Sequence, residues 1–421
     1  MKTNLFALII LFWVNSSALF GQKILINMDL KQTDHLKAYG VAYWILEQGV
    51  NVEWLLNYRG GSFMTDNYPE IMQVLRMRGV SFEEVSAAKV TQIYAEIEAA
   101  NMDVVLLEKA PKIVVYTPPN KQVWDDAVTM ALNYAEVPYE KVWDEEVLRG
   151  DLENYDWLHL HHEDFTGQYG KFYASYSNAA WYKEQVAMNE AMAAKLGFAK
   201  VTLLKLAVAE KIKSFAQAGG FVFAMCSATD SFDIALAAEG VDIAAAIYDG
   251  DPAQNNATAS LDYRKALAFE NFRLVENPLI YEYSDIDVPS THNPRPRDPR
   301  SDFFDLFVFS AKYDPVPTML TQNHVSVIKG FMGQTTAFKK DLIKRSVTIM
   351  AEKNGSDEVK YIHGNIGKGT FTFYAGHDPE DYQHLVNDPP TQLALHKNSP
   401  GYRLILNNIL FPAAKKKKRK T

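Results

Sequence analysis

The stretch GGFVFAMCSATDSFDIALAAEG, residues 219–240, decides the fold that the sequence predicts. Two glycines close the long amphipathic helical pattern before it, and the apolar residues 221–224 then read as a buried strand. Helical spacing of apolar residues returns after Asp230. A strand between two helices is typical of an α/β protein with parallel strands. Cys226, the only cysteine in the chain, follows this strand where the second helix begins.

The position of Cys226 predicts a reactive thiol. In open α/β sheets, ligands bind beyond the carboxyl ends of the strands. A residue on a tight strand-to-helix turn points its side chain over that edge, and the helix dipole there lowers the pKa of a thiol. We therefore expect Cys226 to be a nucleophile and the backbone N–H of Ser227 to hold an oxyanion. The alternative is a buried, inert thiol, because free cysteines are among the most buried residues.

A cysteine nucleophile needs a base, usually histidine, and an acid that orients the base. The segment GKGTFTFYAGHDPEDY places His377 directly after an apolar strand, and acidic residues follow it closely. We expect His377 to be the base and either Asp378 or Glu380 to orient its ring. The alternative is a histidine in a surface loop among solvated acids.

A second group of polar residues lies in LHLHHEDF, residues 158–165. His159 and His161 alternate along a predicted strand, which places both on one face, and a polar loop follows. One interpretation is a divalent metal site with His159, His161 and Glu163 as ligands. The others are a metal-free wall of an active site and ordinary hydrogen-bonded residues. In the metal-free interpretation, the loop residues that line the substrate and oxyanion site are His161, His162, Glu163, Asp164, Gly167 and Gln168.

The rest of the chain predicts two units. Helical and strand patterns alternate over residues 23–110, which favours an N-terminal α/β unit with parallel strands. A second α/β unit covers 111–410 and contains an insertion near 250–345, where the Pro- and Arg-rich residues 293–300 predict an irregular surface loop. Turn sequences within 345–375 indicate a C-terminal extension of antiparallel strands, and YRLILNNIL predicts a final helix.

The two ends of the chain bear on location. Residues 1–22 have one lysine, a short apolar run and then small residues, which is the pattern of a cleaved signal peptide. We expect an exported protein, periplasmic or extracellular, without a transmembrane segment. Residues 411–421 form a basic tail that is solvated or touches an anionic surface. The formal net charge is −8 despite this tail, which disfavours nucleic-acid binding.

Four segments together resemble the class I glutamine amidotransferase-like fold: YDWLHL with its Gly-containing loop, the helix end AQAGG, FAMCSATD, and GNIGKGTFTFYAGHDPED. They lie within 112–240 and 345–385. The resemblance implies a parallel-sheet, flavodoxin-like core, with Cys226 as nucleophile, His377 as base and the first loop in the oxyanion hole. Alanines 224 and 228 stand where the family usually has glycines. Pro379 stands where the family has its acid, so Asp378 and Glu380 both stay candidates.

The whole chain also resembles a group of exported bacterial proteins that carry the label asparagine synthetase B. DHLKAYGVAYW, LLNYRGGSF and YDWLHLHHEDFTGQYGKFYASY carry this likeness. The synthetase activity itself is not expected. That enzyme has a cysteine at its mature N-terminus and a glycine-containing Ser-Gly-Gly-x-Asp-Ser loop for ATP, whereas CSATDSF lacks those glycines.

Three functions follow from these observations. The first is an exported amidase-type hydrolase that acts through Cys226 and His377 on a small-molecule amide or peptide. The second is a non-catalytic module that binds a saccharide, a peptide or an envelope partner, since aromatic residues are dense between 157 and 182. The third is a metal-dependent hydrolase based on residues 159–164. No organic cofactor is expected, and the sequence does not decide whether the protein is an enzyme.

Overall fold

The structure is a computed structural model, and it describes residues 22–288, 298–383 and 385–414. The expected signal peptide up to residue 21 and the basic run after residue 414 lie outside the described residues. The same holds for residues 293–297 of the Arg-rich loop. None of the helices in the described ranges is both long and apolar enough to cross a lipid bilayer.

The described ranges form a mixed α/β structure. The strands are β1 (Lys23–Ile26), β2 (Val52–Leu56), β3 (Ser62–Asp66), β4 (Glu83–Val85), β5 (Asp103–Leu107), β6 (Ile113–Tyr116), β7 (Glu140–Val142), β8 (Trp157–Leu160), β9 (Phe221–Met225), β10 (Phe303–Leu306), β11 (Val327–Lys329), β12 (Phe338–Lys339), β13 (Thr348–Glu352), β14 (Glu358–Ile366) and β15 (Gly369–Tyr374). The helices are α1 (His35–Glu47), α2 (Pro69–Met77), α3 (Ala87–Ala99), α4 (Ala127–Ala135), α5 (Asp144–Arg149), α6 (Tyr173–Tyr176), α7 (Ala180–Lys195), α8 (Val201–Ala218), α9 (Ala228–Ala237), α10 (Ala246–Asp249), α11 (Pro315–Leu320) and α12 (Pro400–Leu410).

The N-terminal sheet differs from the expected one. Its strand order is β4-β1-β3-β2-β5, and all four pairings are antiparallel, so the prediction of parallel strands in 23–110 is wrong. Two of the four pairings involve β3, a strand that the sequence analysis did not identify. In the turn before β3, Arg59, Gly60 and Gly61 all have positive φ. So short a connection joins β2 and β3 as a hairpin, which is antiparallel by geometry.

The second sheet contains the parallel core. Its order is β11-β10-β13-β14-β15-β9-β8-β6-β7, with β12 paired to β14. The pairings β15–β9, β9–β8, β8–β6 and β6–β7 are parallel, as expected for the second α/β unit. The expected antiparallel strands near the C-terminus are confirmed as β13, β14 and β15. β15 is therefore antiparallel to β14 on one side and parallel to β9 on the other.

The apolar run of β9 has a simple structural cause. Phe223 and Met225 pack into one hydrophobic core, and Val222 and Ala224 pack into another on the opposite face of the sheet. A strand that is buried on both faces has no polar alternation, so it reads as continuous apolar sequence. The same burial makes β9 a rigid support for the residue that follows it.

Helix prediction was weakest where helices carry many polar residues. Residues 140–150 contain the short strand β7, which ends at Val142, and the acidic helix α5, which begins at Asp144. The helix α6 lies within the expected polar loop after β8, and α7 lies in the segment that follows this loop, for which no element was predicted. α8, α9 and α12 lie where their amphipathic patterns predict them.

Candidate functional site

Cys226 adopts a strained backbone conformation between β9 and α9. Its φ is 52°, in the left-handed region, which costs a non-glycine residue about 1–2 kcal/mol. Local hydrogen bonds hold this conformation: Thr229 donates to the Cys226 carbonyl through its amide (3.2 Å) and its hydroxyl (2.7 Å). The Cys226 amide donates to the Gly376 carbonyl (3.1 Å). Strain of this kind is more frequent at functional positions than elsewhere, so the conformation of Cys226 supports the hypothesis of a functional thiol.

Three neighbouring parallel strands bring their following residues together at one edge of the sheet. His161 follows β8, Cys226 follows β9, and His377 follows β15. A ring nitrogen of each histidine and the Cys226 sulfur all lie within 4.8 Å of one another. The two imidazole centroids are 4.5 Å apart. The structure thus brings Cys226 and His377 together as expected, and it adds His161 to the same group.

The carboxylates expected beside His377 face other partners. Asp378 accepts the amide of Glu380 (2.8 Å) and the Thr391 hydroxyl (2.7 Å), and the Glu380 carboxylate lies 3.0 Å from Nδ1 of His396. Because the turn after His377 closes on its own backbone, it directs these side chains away from the ring. Nε2 of His377 instead lies 3.1 Å from the carbonyl oxygen of Asp125 and 3.5 Å from its Oδ1.

Asp125 precedes α4, and the sequence reading did not single it out. It comes from a segment far from His377 in the chain, and only the packing of α4 against the second sheet could reveal it. Asp125 therefore replaces Asp378 and Glu380 as the candidate orienting acid. The signal available in the sequence was the pair of acids in WDDAV, which alone is too common to assign a role.

A second aspartate, Asp126, supports the other imidazole. Its Oδ1 lies 3.2 Å from Nδ1 of His161, and its Oδ2 lies 3.2 Å from Nε2 of His159. Burial raises the pKa of Asp126, but the two imidazoles outweigh burial and lower that pKa well below its usual range. Burial also lowers the pKa of His161. Asp126 is therefore the carboxylate that lies beside both imidazoles.

The expected metal ligands do not all converge. Oε2 of Glu163 accepts the backbone N–H of His161 (3.0 Å), and burial raises the pKa of Glu163 to about 8. The acid that shares a cluster with His159 and His161 is Asp126. The prediction that His159, His161 and Glu163 bind a metal together is therefore wrong for Glu163. Its carboxylate accepts the backbone N–H of His161 instead of facing the other two side chains.

The loop after β8 is held by Asp164. Its Oδ1 accepts the amide and the hydroxyl of Thr166, both at 2.6 Å, and its Oδ2 accepts the amide of Gly170 (3.0 Å). Gly167 has φ of 73°, and a Cβ there would lie 2.7 Å from the Thr202 side chain. The Gln168 amide donates to the Thr166 hydroxyl (3.0 Å). Asp164 and Gln168 thus shape this loop, and two of its amides are already used within it.

The sulfur of Cys226 lies in a buried, amide-rich environment. Burial raises the pKa of the Cys226 thiol to about 11, while backbone N–H groups of Gln334, Ser227 and Thr335 act in the opposite direction. The expectation of a lowered thiol pKa is wrong, because burial outweighs the local dipoles. Gln334 and Thr335 belong to the insertion, where the sequence reading expected no site residues. The resting thiol is protonated and needs a base.

Several buried polar atoms near the sulfur have no hydrogen-bond partner among the described residues. They are both ring nitrogens of His161, Nδ1 of His162 and the Ser227 hydroxyl. The His162 ring stacks on that of His161, with centroids 4.2 Å apart, and on that of His377, at 5.2 Å. Most buried polar groups in native proteins are hydrogen-bonded, so such a concentration points to a ligand-binding position.

Aromatic side chains close the site. The Trp124 ring packs 5.4 Å from the ring of His162, 5.5 Å from that of Trp181 and 5.2 Å from that of Phe172. A cavity of about 40 Å³ lies beside His162 and Glu163, and Cys226 does not line it. A cavity of this volume holds only about three water molecules. A substrate would therefore reach the sulfur only after the aromatic cover moves.

Comparison with known proteins leaves the family of the chain open. No protein-family model matches it, and no curated protein matches it. Two solved structures, the cytoplasmic proteins STM3548 from Salmonella typhimurium and STM1381 from Salmonella typhimurium LT2, are 10% and 11% identical to it. Each covers 72% of this chain over its own full length, with TM-scores of 0.34 and 0.32.

A third solved structure is Gan42B, a GH42 beta-galactosidase, at 11% identity and a TM-score of 0.26. It matches 64% of this chain, which covers 28% of the galactosidase chain. Similarities at TM-scores this low carry no argument about fold or function. The site geometry therefore has to support any functional assignment.

Proposed function

We propose that this protein is an exported, cysteine-dependent hydrolase of amide bonds. One observation carries the proposal: Cys226 has a left-handed backbone conformation at a strand-to-helix junction, and imidazole nitrogens lie within 4.8 Å of its sulfur. A nucleophile and a base on rigid, adjacent elements form the usual arrangement for acyl transfer. Export rests on the signal-peptide pattern of residues 1–22.

The proposal includes a class I glutamine amidotransferase-like core. Its support is the parallel arrangement of β6, β8, β9 and β15, with the nucleophile after β9 and a histidine after the adjacent strand. The sequence resemblance of residues 112–240 and 345–385 points the same way. Ala224 and Ala228 flank the elbow in place of the usual glycines, and Cys226 itself takes the strained dihedral angles.

The first half-reaction forms a thioester. A ring nitrogen of His377 takes the thiol proton while the sulfur attacks the carbonyl carbon of the amide. The negative charge on the carbonyl oxygen is held by the Ser227 N–H, with the Gln334 and Thr335 amides nearby. The carbon–nitrogen bond then breaks, and His377 returns the proton to the leaving amine.

The second half-reaction releases the acid. Water attacks the thioester carbon, and His377 takes a proton from this water. The bond between carbon and sulfur breaks, the carboxylic acid leaves, and the sulfur regains its proton. Asp125 holds the His377 ring in place throughout, in the way that the third member of a catalytic triad does. His161, paired with Asp126, is the second imidazole and contacts the same reacting centre.

The test is turnover of a panel of primary amides and peptide p-nitroanilides by the full-length protein. We expect Cys226→Ala to abolish turnover and His377→Ala to lower kcat by about 10²–10⁴-fold. His396→Gln is the matched control, because His396 is partly exposed and paired with Glu380 away from the sulfur. Full activity in Cys226→Ala, with the control also active, would contradict the proposal.

A second candidate function rests on a separate cleft of about 380 Å³, within the size range of ligand pockets. Four tyrosines line it together with Lys183 and Glu190: Tyr169, Tyr173, Tyr182 and Tyr248. Aromatic faces with flanking polar groups are suited to saccharides. Calorimetric titration with a panel of neutral oligosaccharides tests this function. Binding that Tyr173→Ala weakens supports it, and no binding to any member contradicts it.

A further inference from the structure

We infer that His161, Cys226 and His377 form a binding site for a thiophilic divalent metal ion such as Zn²⁺, and that the bound ion blocks Cys226 as a nucleophile. The binding half of this inference is independent of the proposed hydrolase function. The blocking half rests on that function, because it concerns the same sulfur. The three residues differ from the ligand set expected from the sequence, which lacked Cys226 and His377.

The geometry fits a tetrahedral ion. Zinc binds thiolate sulfur at about 2.3 Å and imidazole nitrogen at about 2.0 Å, so its ligands lie roughly 3.5 Å apart. The three donor atoms here already lie within 4.8 Å of one another, on residues that are 1–4% exposed. Ligation requires the donor atoms to approach one another further, by rotation of their side chains. The set of one sulfur and two imidazoles selects Zn²⁺ or Co²⁺ over Mg²⁺ or Ca²⁺.

The hydrogen bonds of the rings favour metal binding. Nδ1 of His161 lies 3.2 Å from Oδ1 of Asp126, and this contact favours the tautomer with the proton on Nδ1 and a lone pair on Nε2. That Nε2 is buried and has no hydrogen-bond partner in the described part of the chain. Nε2 of His377 faces the Asp125 carbonyl oxygen, which only accepts, so Nε2 carries the proton there. Carboxylate or carbonyl partners of this kind fix metal-binding histidines in the ligating tautomer.

A second acidic cluster provides a contrast. Asp242, Asp249 and Asp251 also lie close enough to share an ion, but all three face the ammonium of Lys200 at 2.7, 3.1 and 2.6 Å. The ammonium of Lys200 already neutralises these aspartates, and their only possible metal ligands are carboxylate oxygens. They therefore serve as an internal control for non-specific binding of hard cations.

Metal binding has a defined consequence for the sulfur. The thiol loses its proton to solvent, and the resulting thiolate uses a lone pair in the bond to the metal. The same lone pair would attack a carbonyl carbon in the proposed hydrolase. One ion per chain therefore prevents thioester formation, and a chelator that removes the ion restores it.

The experiment is a Co²⁺ titration of the full-length, chelator-treated protein. We expect one Co²⁺ per chain and a thiolate-to-cobalt charge-transfer absorption that excess Zn²⁺ removes. Cys226→Ser should lose this absorption, and His161→Gln and His377→Gln should each weaken binding at least tenfold. Asp242→Asn and His396→Gln should leave it unchanged. The inference is overturned if no such absorption forms, or if it survives in Cys226→Ser.

Amide turnover then separates this inference from the proposed function. Turnover that Zn²⁺ suppresses and chelation restores supports blocking, whereas full turnover by the Zn²⁺-loaded protein overturns it. A chelator-treated protein without any turnover refutes the proposed hydrolase, and the cobalt spectrum still decides whether the metal site exists.

Discussion

Tyr374 and Met225 stand opposite each other in the sheet, as the last partners in the parallel pairing of β15 with β9. This register explains why the segments that follow them meet. The Cys226 amide donates directly to the Gly376 carbonyl (3.1 Å), which ties the strained elbow to the residue before His377. The candidate nucleophile and the candidate base are thus held by backbone structure rather than by flexible loops.

The strain at Cys226 predicts an inverted glycine effect. At φ of 52°, the left-handed conformation is unfavourable for alanine but not for glycine. The free energy of unfolding of Cys226→Gly should therefore be about 1 kcal/mol larger than that of Cys226→Ala. Urea denaturation of the two variants measures this difference. Ala224, within β9, is the control, since Ala224→Gly should be destabilising by about 0.5–1 kcal/mol. An alanine variant more stable than the glycine variant at position 226 would show that the elbow is not strained.

The two neighbouring aspartates should differ in their effect on amide hydrolysis. Asp125→Asn removes the carboxylate beside His377 and should lower kcat by about 10²-fold. Asp126→Asn should lower kcat less than tenfold. Asparagine keeps the cap of α4, but the variant should be less stable than wild type because it loses the carboxylate that lies beside His159 and His161. Steady-state kinetics of both variants test this order. The reverse order would assign the proton transfer to His161, and unchanged kcat in both would contradict a catalytic imidazole.

Removing the aromatic cover should expose the thiol. Trp124→Ala takes away the ring that packs on His162, Trp181 and Phe172, so alkylation of Cys226 by iodoacetamide should become several-fold faster. Peptide mass spectrometry measures the rate at this single cysteine. Tyr313→Ala is the control, because Tyr313 is 79% exposed outside this cluster. Equal alkylation rates in wild type and Trp124→Ala would mean that Trp124 does not block access to the Cys226 sulfur.

Two stacked histidines should make the fold sensitive to acid. Burial and the charge of Arg403 lower the pKa of His35 to about 4 and that of His324 to about 3, and their rings lie 4.3 Å apart. Because the unfolded chain binds these protons near pH 6.5, the free energy of unfolding should fall as pH drops from about 6.5 to 4. The loss at pH 5 is about 2 kcal/mol per histidine.

Urea denaturation between pH 5 and 8 tests this dependence, with the double variant His35→Gln and His324→Gln as comparison. In the double variant, the free energy of unfolding should depend less on pH than in the wild type, whatever its value at pH 8. A variant that keeps the full slope of the wild type would place the acid sensitivity elsewhere, for example in buried carboxylates.

The second α/β unit was predictable from the sequence because its signals are local. Phe221–Met225 is apolar throughout since both of its faces are buried, and the helices on either side have regular amphipathic spacing. The N-terminal sheet was not predictable to the same degree. The unrecognised strand β3 lies between β1 and β2 and is antiparallel to both, and the edge strands β4 and β5 are also antiparallel to their neighbours.

The candidate site was predictable only in part, for a related reason. Sequence position at strand ends singled out Cys226, His161 and His377, because neighbouring parallel strands share an edge. Asp125, Asp126, Gln334 and Thr335 reach the site through tertiary packing, which leaves no periodic trace in the sequence. Proximity in sequence assigned Asp378 and Glu380 to His377, whereas Asp378 accepts the Glu380 amide and the Thr391 hydroxyl, and Glu380 pairs with His396.

The central claim is that the Cys226 sulfur attacks an acyl carbon with the help of an adjacent imidazole. The most direct measurement is peptide-resolved mass spectrometry during hydrolysis of p-nitrophenyl acetate. We predict a transient acetyl group on Cys226, formed about 10²-fold more slowly in His377→Ala. Hydrolysis that proceeds equally well in Cys226→Ala, with no acetyl group on Cys226 in the wild type, would contradict the claim.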